Sequence, residues 1–352
     1  MTQHVRVVDG LRELSGSAKA GGYRMPGEFE RVEAVWLTYP HNEETWPGCM
    51  EEAREQYDFF MSQVARFARV ELTGNHKIKT NDSWIRDYGP IFVVNEKGEL
   101  GCHDFVFNGW GGKYGGEYGD DDVVPQRVAK ELGVPIWVHD MVLEGGSIDV
   151  NGRGTVMTTE QCLFNPRPRA QRNPGMSREE IEKELHEALG TWHVIWLPGG
   201  IIGDDTDGHV DDIARFVSAE RVVAIRAPKG HADYEMLEAN WKALRQARLE
   251  TGHKIELVEL PVPGPGGVNY KFPADRFGPG GVNPCPASYA NFLMVNEAVL
   301  VPVFGQTSDE RALRVMEEAC GDRVIVPVRS EFLVVGLGAL HCLSQQQPFS
   351  GR

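Results

Sequence analysis

Residues 177–217, SREEIEKELHEALGTWHVIWLPGGIIGDDTDGHVDDIARFV, contain one complete structural unit. Amphipathic periodicity predicts a helix over 177–189, and Leu189-Gly190 ends it with the residue that tolerates the positive φ of a helix C-cap. The run 193–197 predicts a strand, 203–211 an acidic turn, and 213–217 a second strand. The same order recurs along the chain. Helical periodicity also falls at roughly 50–68, 122–132, 232–248 and 308–319, with Leu132-Gly133 and Cys320-Gly321 repeating the glycine stop. Strand-forming runs follow the last four helices, at 134–138, 193–197, 255–260 and 324–328. The polar turns then carry Arg86-Asp87-Tyr88-Gly89-Pro90, Glu144-Gly145-Gly146-Ser147, residues 203–211, residues 283–291 and the segment around Cys342. Four of them lead into a further apolar run, at 91–94, 155–158, 213–217 and 292–295. Five helix–strand–turn–strand units predict an α/β protein whose equivalent turns lie on one side of a cyclic arrangement, so that residues distant in sequence meet in one pocket. An ordinary α/β sheet without symmetry is the competing architecture.

The 352-residue chain is 41% hydrophobic and 25% charged, the balance of a chain that folds into one large domain or two smaller ones. Its net charge of −15, with no run of Lys or Arg, argues against a nucleic-acid partner and is compatible with a small cationic substrate. The start, Met1-Thr2-Gln3-His4-Val5-Arg6, has no apolar leader, and no stretch of about 18 uninterrupted apolar residues occurs, so a cytoplasmic protein with no membrane partner is expected. Cys49, Cys102, Cys162, Cys285, Cys320 and Cys342 form no CxxC pair, and there is no HExxH. Neither a disulfide scaffold nor a metal or other cofactor is expected, and five of the six thiols read as packing or surface residues.

Cys342 is the sixth. It ends the run Gly336-Leu337-Gly338-Ala339-Leu340-His341-Cys342, where glycines let backbone N–H groups crowd a thiol, a setting for ionisation and attack on an electrophilic carbon. His209 is the candidate general acid/base: its residue type titrates nearest neutrality, and it sits in an acidic, glycine-containing turn two residues before Asp211. Asp87 and Asp211 are each suited to take a pair of N–H donors from a guanidinium in fork geometry, and Trp84 and Tyr88 flank Asp87 with faces that suit a flat cation. Blander readings stand beside each: Arg86-Asp87 as a surface ion pair, Asp211 as a cap, His209 as a structural histidine and Glu144 as a surface turn residue. Asn291, in the fourth turn, is a candidate to complete the pocket, and Asp205 and Asp207 are expected to brace their own loop through Asx bonds. The run Asp204, Asp205 and Asp207 lacks the spacing and distal glutamate of a calcium loop.

Several long segments, in order, resemble the agmatine deiminase family. They are Met25-Pro26-Gly27-Glu28-Phe29-Glu30, Tyr39-Pro40-His41-Asn42, Asn81-Asp82-Ser83-Trp84-Ile85-Arg86-Asp87-Tyr88-Gly89-Pro90, Phe107-Asn108-Gly109-Trp110-Gly111-Gly112-Lys113-Tyr114, Leu143-Glu144-Gly145-Gly146-Ser147, residues 204–211, and His341-Cys342 with Gln345-Gln346-Gln347-Pro348. The likeness implies the pentein fold, a five-bladed pseudo-fivefold αβ propeller, as a single domain over 25–348, with 1–24 a flexible lead-in and 349–352 a tail. It implies hydrolytic deimination of an alkylguanidine, agmatine by default, giving N-carbamoylputrescine and ammonia through an amidino-thioether on Cys342. It gives Glu144 the role of bonding the second imidazole nitrogen of His209, adds Trp110 to the substrate pocket, and implies a homo-oligomer, a dimer. Three departures bear on the substrate. Where the family carries Gly-Gly-Gly-Asn the chain has Gly336-Leu337-Gly338-Ala339, its His209-Val210-Asp211-Asp212 has aspartate where the family has asparagine, and the short passage from Val70 to Asn81 implies a trimmed first blade. A deiminase of another guanidine and an amidinotransferase share the first half-reaction and stay open as alternatives. A noncatalytic binding module gives no reason for Cys342, His209, Asp87 and Asp211 to occur together.

Overall fold

Five sheets share one plan. A first strand runs antiparallel to a second, and the second runs parallel to a third. The sets are Ser344–Pro348, Val32–Thr38 and Arg69–Thr73; Ile91–Asn95, Leu100–Val106 and Ile136–Val142; Asp149–Val150, Thr155–Thr159 and His193–Leu197; Ala214–Phe216, Arg221–Arg226 and Glu256–Pro261; and Leu293–Val295, Ala298–Val303 and Val324–Arg329. A parallel pair cannot be joined by a tight turn, so each second strand reaches its third through a helical crossover. These are α1 (Met50–Val64), α2 (Val124–Leu132), α3 (Arg178–Leu189), α4 (Tyr234–Gln246) and α5 (Asp309–Cys320). The computed structural model describes residues 10–114, 118–165, 167, 170–264, 267–273 and 281–351.

Local chemistry sets where these elements stop. Ser177 and Glu180 form a reciprocal capping box at the start of α3, and Gly190 and Gly133 end α3 and α2 in the left-handed region. The middle strand Leu100–Val106 is buried along its whole length, its His103 and Asp104 included. The sequence reading left out one strand in each of the second to fifth sheets and all three strands of the first. The missed strands include Arg69–Thr73, where α1 ends earlier than expected and charged and apolar residues alternate. The last one missed, Ser344–Pro348, has no apolar alternation at all. Its glutamines are buried and each has a hydrogen bond across the fold: Trp36 Nε1 donates to Gln347 Oε1 at 3.0 Å, Arg86 Nη1 to Gln346 Oε1 at 2.5 Å, and Gln345 Nε2 to the Pro90 carbonyl at 2.7 Å. This strand, from the end of the chain, lies against Val32–Thr38 from its beginning and joins the fifth unit to the first.

The first blade keeps three strands and α1; the short passage falls in its link to the second blade, from Thr73 to Ile85. A hairpin outside the plan, Val268–Phe272 with Gly281–Cys285, is inserted between the fourth and fifth sheets. In the lead-in, the Ile136 amide donates to the Arg12 carbonyl, the Leu14 amide donates back to Ile136, and Tyr23–Arg24 pairs with Val94 and Asn95 at the edge of the second sheet. Residues 1–9 lie outside the described residues. No helix among the described residues is long and apolar enough to cross a membrane.

The plan has one consequence for chemistry. The segments that lead from a third strand into the next first strand carry Asp87, Glu144, His209 with Asp211, Asn291 and Cys342, one segment for each of the five steps. The interactions below bring all five together.

Candidate active site

Gly146 marks the centre. It sits in a turn of 3-10 helix (Gly145–Ser147), and a methyl group added to it would lie 2.6 Å from His209 Nδ1, 2.8 Å from Asp87 Oδ1 and 3.0 Å from Asp211 Oδ2. Only glycine leaves room for three functional groups to converge there. All three side chains are buried, and so is Glu144, so neither the surface ion pair at Asp87 nor the surface turn at Glu144 describes them. Arg86 turns away from Asp87. Its backbone N–H donates to the Cys342 carbonyl at 3.3 Å, and its guanidinium donates to the His341 carbonyl at 3.2 Å and to Gln346 and Glu28.

Asp87 accepts from Trp110 Nε1 at 2.9 Å and from the Gly146 amide at 3.1 Å. Trp110 holds that position with φ 54°, in the left-handed region that a bulky residue rarely occupies, flanked by Gly109 and Gly111 that share it. Burial pushes Asp87 up to about 6, with Asp211 adding repulsion and His209 opposing. His209 has Asp87 Oδ1 3.6 Å from Nδ1 and Glu144 Oε2 3.7 Å from Nε2, and neither ring nitrogen has a partner within hydrogen-bond distance. Burial alone would lower its pKa, but Asp87, Cys162 and Glu144 outweigh that and raise it well above the usual range, which favours the imidazolium. Glu144 in turn is paired with Arg172 at 2.9 Å. Burial opposes its charge, yet Arg172 and His209 hold it down to about 2.

Cys342 Sγ accepts from Asn291 Nδ2 at 3.0 Å and faces Asp211 Oδ2 at 3.6 Å. Asn291 Oδ1 also accepts from the amides of His341 and Cys342, at 3.0 and 3.3 Å, so this side chain grips the nucleophile loop from both ends. Its contacts put it on the thiol. Burial, then Asp211, Asp212 and Asp87, push the thiol pKa well above its usual value. A cation held between Asp87 and Asp211 would reverse that repulsion, which couples nucleophile ionisation to substrate binding. Burial and the acidic neighbours Asp211 and Asp204 raise the pKa of Asp212, which accepts from Asn291 Nδ2 at 2.9 Å.

The group opens to a cavity of about 1110 Å³ lined by Trp84, Asp87, Trp110, Leu337 and Cys342, with Glu43, Glu44, Asp82 and Asp205 among its other walls. Trp84 is pinned against Trp46, ring centroids 5.4 Å apart, and both rings press on Gly336. Leu337, also at positive φ (76°), occupies a site where the chain was expected to have lost backbone freedom, and its side chain forms part of the wall. The acidic loop differs from expectation. Asp204 braces it, accepting from the Thr206 and Gly208 amides, each at 2.7 Å. Asp205 instead bonds Tyr114, and Asp207 pairs with Lys113 at 2.6 Å and Arg172 at 2.8 Å.

Three contributors were missed from sequence. Arg172, Glu28 and Cys162 are buried here, with Cys162 Sγ 4.0 Å from Glu144 Oε2. Glu28 lies inside the Met25–Glu30 segment and was visible only as part of a motif; nothing in the spacing of Arg172 or Cys162 points to the site. Glu144, Cys162 and His209 offer ligand atoms within 4.8 Å of one another. The Arg172 cation on Glu144 already supplies the charge a metal would bring, so the trio fits a charge-balanced acid/base group. All six cysteines are buried and unpaired by disulfides.

Residues 24–348 match the model of the Porphyromonas-type peptidyl-arginine deiminase family. The chain belongs to this family. Within it, the agmatine deiminase of Enterococcus faecalis is 31% identical in sequence, with a TM-score of 0.90 over 97% of this chain and 100% of that one. A substrate-bound cysteine-to-serine variant of the C. jejuni agmatine deiminase is 29% identical, with a TM-score of 0.81 over 94% and 97%. A likeness to DDAH from Pseudomonas aeruginosa, 13% identical with a TM-score of 0.51 over 90% and 100%, speaks for the fold alone. The five-unit plan is the pentein fold of this deiminase family, whose members are hydrolases acting on guanidino C–N bonds.

Proposed function

We propose that the protein deiminates an alkylguanidine, with agmatine as the substrate that best fits, yielding N-carbamoylputrescine and ammonia. The observation that carries this is the convergence around Gly146 of two buried carboxylates, Asp87 and Asp211, with His209, Asp211 lying 3.6 Å from Cys342 Sγ and keeping Oδ1 without a hydrogen-bond partner. A planar cation rich in N–H donors fits the Asp211 and Asp87 carboxylates together, and the His209 imidazolium beside them has a proton to give. The agmatine deiminase relatives and the acidic cavity walls support a substrate with a second positive charge at its far end.

Asp87 and Asp211 hold the guanidinium plane, and its charge lowers the cost of ionising Cys342. The thiolate attacks the central carbon and forms a C–S bond. The His209 imidazolium gives its proton to the departing nitrogen, which leaves as ammonia when the C–N bond breaks. An amidino-thioether remains. Neutral His209 then takes a proton from water as the water oxygen bonds the same carbon, and collapse of that adduct releases the ureido product and the thiolate. Glu144, fixed by Arg172, sets the ring orientation and favours the protonated form. A cytoplasmic homodimer goes with this proposal, and sedimentation of the purified protein tests the dimer.

The test is ammonia release with mass detection of the ureido product from agmatine, arginine and guanidinobutyrate, with Cys342→Ala as control. Ureido product from agmatine that vanishes in the variant is expected. Turnover of another guanidine alone would correct the substrate, and no turnover across the panel would overturn the proposal.

A further inference from the structure

His341 precedes the nucleophile but is turned away from the reacting thiol and into the protein. Its Nδ1 lies 2.6 Å from Asp211 Oδ2 and its Nε2 2.8 Å from Glu28 Oε2. All three side chains are buried. An imidazole whose two nitrogens both face carboxylate oxygens is satisfied on both sides only when both nitrogens donate. Glu28 is itself held in place. Its Oε1 accepts from the Met294 amide at 2.8 Å, and its Oε2 also meets Arg215 at 3.0 Å and Arg86 at 3.4 Å. Arg215 is tied further to Asp149 and to the Phe292 carbonyl at 3.1 Å. A line of bonded polar groups thus runs from two arginines through Glu28 and His341 to Asp211, through residues contributed by several blades.

The line ends on one oxygen of Asp211. Oδ2 is bonded by His341 on one side and faces Cys342 Sγ at 3.6 Å on the other, and Oδ1 is buried without a partner. A carboxylate free to rotate would exchange these oxygens and carry its acceptor off the guanidinium plane. Resting on the deimination proposal, we infer that Glu28 and His341 are positioning residues. His341, anchored by Glu28, locks Asp211 with Oδ2 held beside Cys342 Sγ, so that Oδ1 stays unpaired and available to the substrate guanidinium. Neither residue touches the reacting carbon. Their effect is transmitted through the angle of Asp211, and it falls on capture of the cation more than on the intrinsic reactivity of the thiol.

That distinction sets the experiment. Cys342 is alkylated in parallel with chloroacetamidine, whose amidinium needs the two aspartates, and with iodoacetamide, which is neutral. The rate ratio of the two reagents reads cation capture with thiol reactivity divided out. In His341→Leu the ratio is expected to fall about tenfold to a hundredfold, the size of a lost hydrogen bond to a charged group. His341→Asn, which keeps a donor near Nδ1, restores most of it, and Glu28→Gln gives an intermediate loss. Thermal denaturation of each variant reports folding, and if His341→Leu does not fold, the Asn and Gln variants carry the comparison. An unchanged ratio in folded His341→Leu, or equal ratios in the Leu and Asn variants, would overturn the positioning role and leave deimination intact. Absence of any amidinium preference in the unaltered protein, with no turnover, would overturn the deimination proposal and this inference with it.

Discussion

Asp87 is held at a protonation balance that the reaction must tip. Burial raises its pKa to about 6, so below that pH the buried group is neutral and offers a guanidinium no charge. Affinity for the cation therefore rises with pH through about 6 and flattens above it. Calorimetric titration of Cys342→Ser with agmatine checks this: below pH 6 the dissociation constant should weaken by up to about tenfold per unit, and a flat profile would remove Asp87 from cation binding. Glu144 has the opposite sign. Its folded pKa, held at about 2, lies below the ordinary 4.5, so its contribution to stability is present above about 4.5 and is lost as pH falls toward 2. That contribution is on the order of 3 kcal/mol. Glu144→Gln, which takes one of its two carboxylates from the buried Arg172, should lower the urea midpoint at pH 7, and the gap from the unaltered protein should close as the pH falls through this window. A gap independent of pH would mean that lost packing, and not lost charge, causes the effect.

At the scale of elements, the nucleophile loop is where this chain departs from the pattern it resembles. The 3-10 turn Leu333–Gly336 ends on Leu337 in the left-handed region, a conformation that costs a side-chain-bearing residue about 1–2 kcal/mol. The side chain is nearly buried and forms cavity wall beside Cys342. Strain retained at such a place has its effect on shape: leucine narrows the space around the scissile group. Leu337→Gly should raise the ratio of kcat/KM for a bulkier N-alkylated guanidine over that for agmatine by about tenfold or more. Equal ratios before and after the change would make Leu337 a packing residue only. Asn291 belongs to the same element-scale device. The sequence singled it out for the pocket, but one side chain bonding two loop amides and a thiol is a contact between the fourth turn and the fifth that no spacing along the chain encodes.

For the whole molecule, closure depends on a strand without a hydrophobic pattern. Ser344–Pro348 lies against Val32–Thr38 and supplies one of the acceptors of the buried Arg86. Ending the chain after Leu343 removes that pairing and leaves Arg86 with only Glu28 and the His341 carbonyl, a loss of about 1.5–3 kcal/mol for the hydrogen bond to the charged group, beyond the lost strand pairing. Such a truncation should lose its cooperative thermal transition and become open to limited proteolysis. Retention of a sharp transition near the original midpoint would mean that the first blade is stable without its last strand.

Much of this was determined locally and so was readable in the chain. Helical periodicity, the glycine stops of α2 and α3 and the apolar runs of the first and third strands depend on neighbours a few residues away, and they place five repeated turns and the reactive residue types on them. Other features arise only when the ring of units is assembled. The polar closing strand is stable because Trp36, Arg86 and the Pro90 carbonyl meet its glutamines across the fold. Glu28 reaches His341 across 313 positions, and His341 reaches Asp211 across 130. The charge states follow the same division. The sequence identifies an aspartate, a histidine, a glutamate and a cysteine, while burial and the carboxylates and arginines that surround each group decide which of them carries charge.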